Sequence, residues 1–168
     1  GLSAIQLAQA FGALDVFAVD INADKLNLAA QYGAIPVDAR LVDPVAEIRR
    51  LTRGQGVDVA LELIGLAQTM RQTVQCLGVM GRAVIAGIGD RPLEVDTYRE
   101  LLGNEVEIIG SNDHLLQELP RLIELARRRV LDTSRVVTRT IPLDADAINQ
   151  TLNALERFDG GVRTVIAP

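Results

Sequence analysis

The chain has 168 residues, 17 basic and 22 acidic, for a net charge of −5, and it is 48% hydrophobic with only 3% aromatic residues and no Trp. That length fits one domain with a sizeable core, built from Leu, Val, Ile and Ala as in an α/β domain whose strands are covered on both faces. The acidic balance excludes nucleic acid and anionic lipid as partners attracted by charge, and no segment is long and apolar enough to cross a membrane.

The first twenty residues organise the rest. Gly1 opens a helix in which Ala4, Ile5, Ala8 and Phe11 recur at helical spacing, Gly12 stops it, and Val16 to Val19 forms an apolar strand ending on Asp20. In a dinucleotide-binding unit, the last fingerprint glycine lets the first helix pack close to its strand, and an acid about twenty residues on holds the ribose hydroxyls. Gly1 and Asp20 have that spacing.

The pattern then repeats. Asn22 caps a helix through Leu26, Ala29 and Ala30, closed by Gly33. Ile35-Pro36-Val37 is a short strand that its proline places at an edge, and Asp43-Pro44 caps and starts a helix with Val45, Ile48 and Leu51 inward. Val57 to Ile64 is a strand ending at Gly65, followed by a helix near 67–77 and a strand over Arg82 to Ala86 that runs into Gly87-Ile88-Gly89. These strands end in glycine or a carboxylate, at the end of the sheet where α/β folds bind ligands.

Leu93 to Val95 predicts a small extra strand, Tyr98 to Leu102 a helical turn, and Val106 to Ile109 another strand. A long amphipathic helix follows through Leu115, Leu119, Leu122, Ile123 and Ala126, with Arg127-Arg128-Arg129 offsetting its dipole. Thr138 to Ile141 is extended, Ala147 to Leu155 is a helix, and Val162 to Ile166 closes the chain as a strand. One α/β domain accounts for the whole pattern. Cys76, the single cysteine, reads as a buried structural thiol; it rules out an intramolecular disulfide and suits a reducing, cytoplasmic setting. With one Cys and one His, a soft-ligand zinc site cannot be built from this chain.

The fold class is therefore a doubly wound parallel sheet whose first strand and first two fingerprint glycines fall outside the chain. In the order 3-2-1-4-5-6 that strand is central. An empty slot forgoes about ten ladder bonds at about 1 kcal/mol each. We therefore expect the chain to be a piece of a longer polypeptide, or another segment to fill the slot.

The sequence resembles the cofactor domain and C-terminus of the medium-chain, zinc-dependent alcohol dehydrogenase family. The likeness spans Gly1 to Ala8, the run Val19-Asp20-Ile21-Asn22-Ala23-Asp24-Lys25, the block Gly56 to Gly65, and the tail Gly161 to Ile166. It implies a dinucleotide-binding domain over residues 1–168 with a C-terminal segment, downstream of a catalytic domain that holds the zinc ligands and the proton relay. The implied chemistry is hydride transfer between an alcohol or polyol and NAD, with a small-molecule alcohol as substrate.

The resemblance also assigns cofactor contacts. Asp20 matches the acid that holds both adenosine ribose hydroxyls, with Ile21 beside it and Lys25 reaching the same ribose. A 2′-phosphate would meet like charge at Asp20, so NAD is favoured over NADP. Ile64 matches a wall of the adenine pocket, with core packing as the competing role. Ala86, Gly87 and Ile88 match the turn that approaches nicotinamide through its backbone. Ser111 and Asp113 match a second backbone contact, where Asp113 departs from the family's apolar residue. Arg163 matches an arginine on the pyrophosphate. No catalytic residue and no metal ligand is assigned within the chain. His114 reads as a solvated loop side chain and not a proton shuttle, and Glu62 as part of a strand pattern leaning toward the zinc branch.

Two other functions compete: a zinc-free quinone or enoyl reductase of the same superfamily, and a non-catalytic dinucleotide-sensing module. The resemblance implies a homodimer or homotetramer, and we place its contact at the sheet edge near 93–95 and 106–109.

Overall fold

In the computed structural model, residues 1–113, 115–157 and 161–168 are described; His114 lies outside them. The helix starts expected from the sequence are made by side chains. Asn22 Oδ1 accepts the N–H groups of Asp24 (3.0 Å) and Lys25 (3.1 Å) to begin α2 (Ala23–Gln31). Asp43 Oδ1 accepts from Ala46 N (2.8 Å) at α3 (Pro44–Leu51), whose first residue is a proline with no donor to lose. The first helix, α1 (Leu2–Ala10), has Gly1 as its N-cap and ends before Gly12 at φ +98°.

Parallel strands follow each helix. β1 (Phe17–Asp20) pairs with β2 (Ile35–Asp38) from Phe17 opposite Ile35 to Asp20 opposite Asp38. β3 (Val57–Glu62), β4 (Leu77–Ile85) and β5 (Glu107–Gly110) form a second parallel sheet in that order. Among the described residues β1 and β3 do not pair, and the hydrophobic core falls into two clusters to match. Ile5, Ala29 and Ala34 pack under β1 with Leu2, Val16 and Tyr32. Val74, from α4 (Ala67–Gln75), packs with Leu77 and Ala83 under the three-stranded sheet.

Several expectations are corrected. Two-sided strand coverage is not reached: Val59 and Leu61 on β3 are 53% and 45% exposed. Leu93 to Val95 is not a strand. Its side chains join the second core cluster, while the Glu94 carbonyl accepts from Arg71 Nη1 (2.8 Å) instead of from a ladder partner. β4 begins at Leu77, earlier than expected, with a register irregularity that Met80 enters at φ +58°. The helix expected from Leu115 becomes a 3₁₀ turn (Leu116–Glu118) and then α5 (Leu119–Arg127), since Pro120 fits only a first turn. The helical turn expected over Tyr98 to Leu102 is present, as a π-helix over Thr97–Leu102.

The C-terminal strands leave the main sheets. β6 (Arg139–Pro142) and β7 (Thr164–Ala167) pair in parallel with each other, joined by α6 (Ala145–Glu156). The segment before β6 is pinned to α1: Gln6, nearly buried, donates from Nε2 to Asp132 O (3.3 Å) and accepts Asp132 N–H at Oε1 (2.6 Å). Arg121 lies over the Phe11 ring at 5.3 Å. No described helix is long and apolar enough to cross a membrane.

Candidate functional site

The carboxyl ends of β1 and β2 stand side by side. Asp20 closes β1, and its Oδ1 accepts the Asn22 N–H (2.9 Å), which aims the carboxyl group over the start of α2. Gly1 and Lys25 lie within electrostatic reach. Asp20 and Lys25 both lie near the Gly1 nitrogen. Gly1, Asp20 and Lys25 are thus brought together, and Ile21, half exposed, continues the rim. Opposite Asp20, Asp38 accepts from Arg40 Nε (3.0 Å) and Nη2 (2.6 Å), and that guanidinium holds its carboxyl at about 2.

The ends of β3 and β4 interlock around Glu62. This carboxyl group is 2% exposed. Its Oε1 accepts from Ile64 N (3.0 Å), Gly65 N (2.9 Å) and the Thr69 hydroxyl (2.6 Å), tying the strand end to the first turn of α4. Its backbone carbonyl accepts from Ala86 N (2.9 Å) and Gly87 N (3.0 Å). Gly87 has no space for a side chain: a Cβ there would lie 2.2 Å from Gly65 N and 2.4 Å from Glu62 Oε2. Gly65 sits at φ +94°, and its Cβ would lie 2.1 Å from Ile88 O. Ser111 N donates to Ile85 O (2.9 Å), bringing the end of β5 alongside, and Asp113 holds a left-handed φ of +52°.

Ile64, Ala86, Gly87, Ile88 and Ser111 therefore share one end of the three-stranded sheet, with Ile88 92% exposed above it. At this end the glycines let the strand-end turns approach closely, while Ile64 and Ile88 stand exposed beside them. Arg163 lies beside the third sheet. Its carbonyl accepts from Thr138 N (3.0 Å) at the start of the third sheet, and it lines an apolar cavity of about 310 Å³ with Ile141, Ile148, Leu152 and Ile166. No group of three or more His, Cys, Asp or Glu suited to a metal occurs among the described residues.

Two acid-tipped strand ends and a glycine-rich turn thus stand at the carboxyl ends of parallel strands. The sequence pattern of the zinc-binding dehydrogenase family matches residues 1–128. The chain belongs to the medium-chain, zinc-dependent alcohol dehydrogenase family. Within that family it is 32% identical to a (R,R)-butanediol dehydrogenase of Bacillus subtilis, covering 100% of this chain and 48% of that protein. It is 30% identical to a NAD-dependent alcohol dehydrogenase of Sulfurisphaera tokodaii, covering 100% of this chain and 47% of that protein. Its fold superimposes on the alcohol dehydrogenase of the hyperthermophilic archaeon Aeropyrum pernix with a TM-score of 0.86 and 36% identity, over 99% of this chain and 46% of that one. The chain thus spans about half the length of the curated relatives it matches.

Two features of this family member were not legible as site elements in the sequence. The Glu62–Thr69 hydrogen bond joins residues seven apart, and its signal was an acid at a strand end followed by a hydroxyl in the next helix turn. The Asp38–Arg40 pair was hidden because it gains meaning only from the register that sets Asp38 beside Asp20.

Proposed function

We propose that this chain is the NAD-binding portion of an oxidoreductase acting on an alcohol or polyol, with zinc held by a domain outside residues 1–168. The observation that carries the reading is the Asp20 carboxyl group at the end of β1, with Gly1 at the N-cap of α1 and Lys25 within electrostatic reach. The residues fit the cofactor. Asp20 accepts ribose hydroxyl protons and repels a 2′-phosphate. Gly87 lets the ends of β3 and β4 close on each other, since a Cβ there would meet Gly65 N at 2.2 Å and Glu62 Oε2 at 2.4 Å, and the turn so formed is the one we assign to the nicotinamide end. When bound, the nicotinamide supplies hydride-accepting chemistry. The chain's own residues bind and orient it: Ile64 and Ile21 offer apolar walls to the adenine side, Gly87 and Ser111 offer backbone groups to the other end, and Asp113 holds the turn that follows.

We assign Arg163 to the pyrophosphate in the intact protein. The outer edge of β5, where Ile108 and Ile109 are 38% and 40% exposed, is the surface we assign to homo-oligomer contact, with Leu93 and Val95 supporting it from the core. The setting we propose is cytoplasmic.

The test is nucleotide binding by the intact protein, read from NADH and NADPH fluorescence. We expect NADH to bind more tightly than NADPH, and Asp20→Asn to weaken NADH about tenfold, as loss of a charge-assisted hydrogen bond does. Tighter binding of NADPH by the unaltered protein would overturn the reading and favour the zinc-free reductase branch.

A further inference from the structure

One charged pair near the proposed ribose site has no part in the binding described above. Asp20 and Asp38 are register partners on adjacent parallel strands. Their side chains therefore leave the same face of the sheet, with backbones about 5 Å apart. Both strands stop there, so both carboxyl groups stand at the end of the sheet where ligands bind. Asp38 is not free to act as a second ribose acid. Arg40 Nε and Nη2 grip its two oxygens at 3.0 and 2.6 Å, and Arg40 N–H adds a third bond to Oδ1 (3.0 Å). The arginine side chain is 53% exposed, while that of Asp38 is 18% exposed, so the guanidinium forms the outer half of the pair.

We propose that Asp38 and Arg40 form a second cofactor-selectivity element, in which Asp38 occupies the Arg40 guanidinium and so withholds it from a 2′-phosphate. The inference rests on Asp20 being the ribose acid. A guanidinium fork filled by a carboxylate cannot also clamp a phosphate through two N–H groups. The pair presents almost no net charge, whereas Arg40 released from Asp38 presents a full positive charge at the same place. Removing Asp20 alone therefore relieves repulsion without creating a phosphate site. Removing Asp38 as well converts a neutral pair into a phosphate ligand.

The experiment measures NADH and NADPH dissociation constants for the intact protein and for Asp20→Asn, Asp20→Asn/Asp38→Asn, and Asp20→Asn/Asp38→Asn/Arg40→Ala. Asp38→Asn changes one oxygen for one nitrogen at a partly solvated pair, and a thermal melt of each variant checks folding. Asp38→Ser repeats the double variant with a smaller side chain. We expect Asp20→Asn to lose NADH affinity with little gain for NADPH. The double variant should then bind NADPH about tenfold more tightly than Asp20→Asn, a gain of the size a charged hydrogen bond supplies. Arg40→Ala should abolish that gain, and added salt should shrink it. A double variant with no NADPH gain, or a gain that survives Arg40→Ala, overturns the Asp38–Arg40 inference and leaves Asp20 in its role. An NADH affinity unchanged by Asp20→Asn overturns both.

Discussion

Replacing Glu62 with Leu should loosen the end of β3 far more than replacing it with Gln. The leucine removes an acceptor for three donors: Ile64 N, Gly65 N and the Thr69 hydroxyl. The hydroxyl keeps the Leu66 carbonyl (2.9 Å) as an alternative. Two backbone N–H groups are then orphaned, at about 1–3 kcal/mol each. Ile64 and Gly65 are partly solvated, so water recovers some of this, and we expect a local loss of about 2–4 kcal/mol. Gln keeps the Oε1 acceptor and loses only the longer bond from Gly65 N to Oε2 (3.1 Å), at about 1 kcal/mol. Amide hydrogen exchange over residues 62–69 of the intact protein reads the difference directly. Glu62→Leu should speed exchange at Ile64 and Gly65 at least about thirtyfold, following from a 2 kcal/mol local change. Unchanged exchange in Glu62→Leu, or equal acceleration in Glu62→Gln, would refute the assignment of Glu62 as the acceptor that organises this turn.

Other outcomes follow from the same geometry. Gly87→Ala should lower the thermal midpoint by the equivalent of about 1–3 kcal/mol of overpacking and weaken NADH binding, because its Cβ meets backbone nitrogen at 2.2 Å. Gly110→Ala, with nothing within 4 Å of its Cβ, serves as the control and should stay within about 0.5 kcal/mol of the parent in the same melt. Burial pushes the Cys76 thiol up to about 11, so the native protein should resist iodoacetamide at pH 8 and react once unfolded. The folded value lies above the unfolded one, so this group's contribution to stability is complete below about 9 and is lost as pH rises toward 11. Denaturant midpoints between pH 8 and 11 check the sign, and in Cys76→Ala the thiol's share of any loss should vanish.

Local chemistry explains why so much of the chain was legible beforehand. Asn22, Asp43-Pro44 and Gly33 mark helix ends through bonds made within four residues, so α2 and α3 begin where the letters place them. The apolar runs Val16 to Val19, closed by Asp20, and Val57 to Ile64 mark parallel strands, although β3 stops at Glu62, and the Gly1–Asp20 spacing points to the ribose acid. Pairing beyond the local segment was not so readable. Leu93 to Val95 has the composition of a strand, yet Arg71 captures a carbonyl it would need, and only the fold sets that arginine there. Thr138 to Ile141 and Val162 to Ile166 read as extended from composition, whereas the pairing of β6 with β7, and the contact of Arg163 with Thr138 beside it, depend on partners more than twenty residues away. The two most informative contacts share this origin. Asp38 stands beside Asp20 because parallel register places it there, and Glu62 closes on Gly87 because β3 and β4 end together. Side-chain type and spacing determine what a segment can become; which strand ends meet, and so which charges face one another, is decided by tertiary hydrogen bonding between residues the sequence keeps apart.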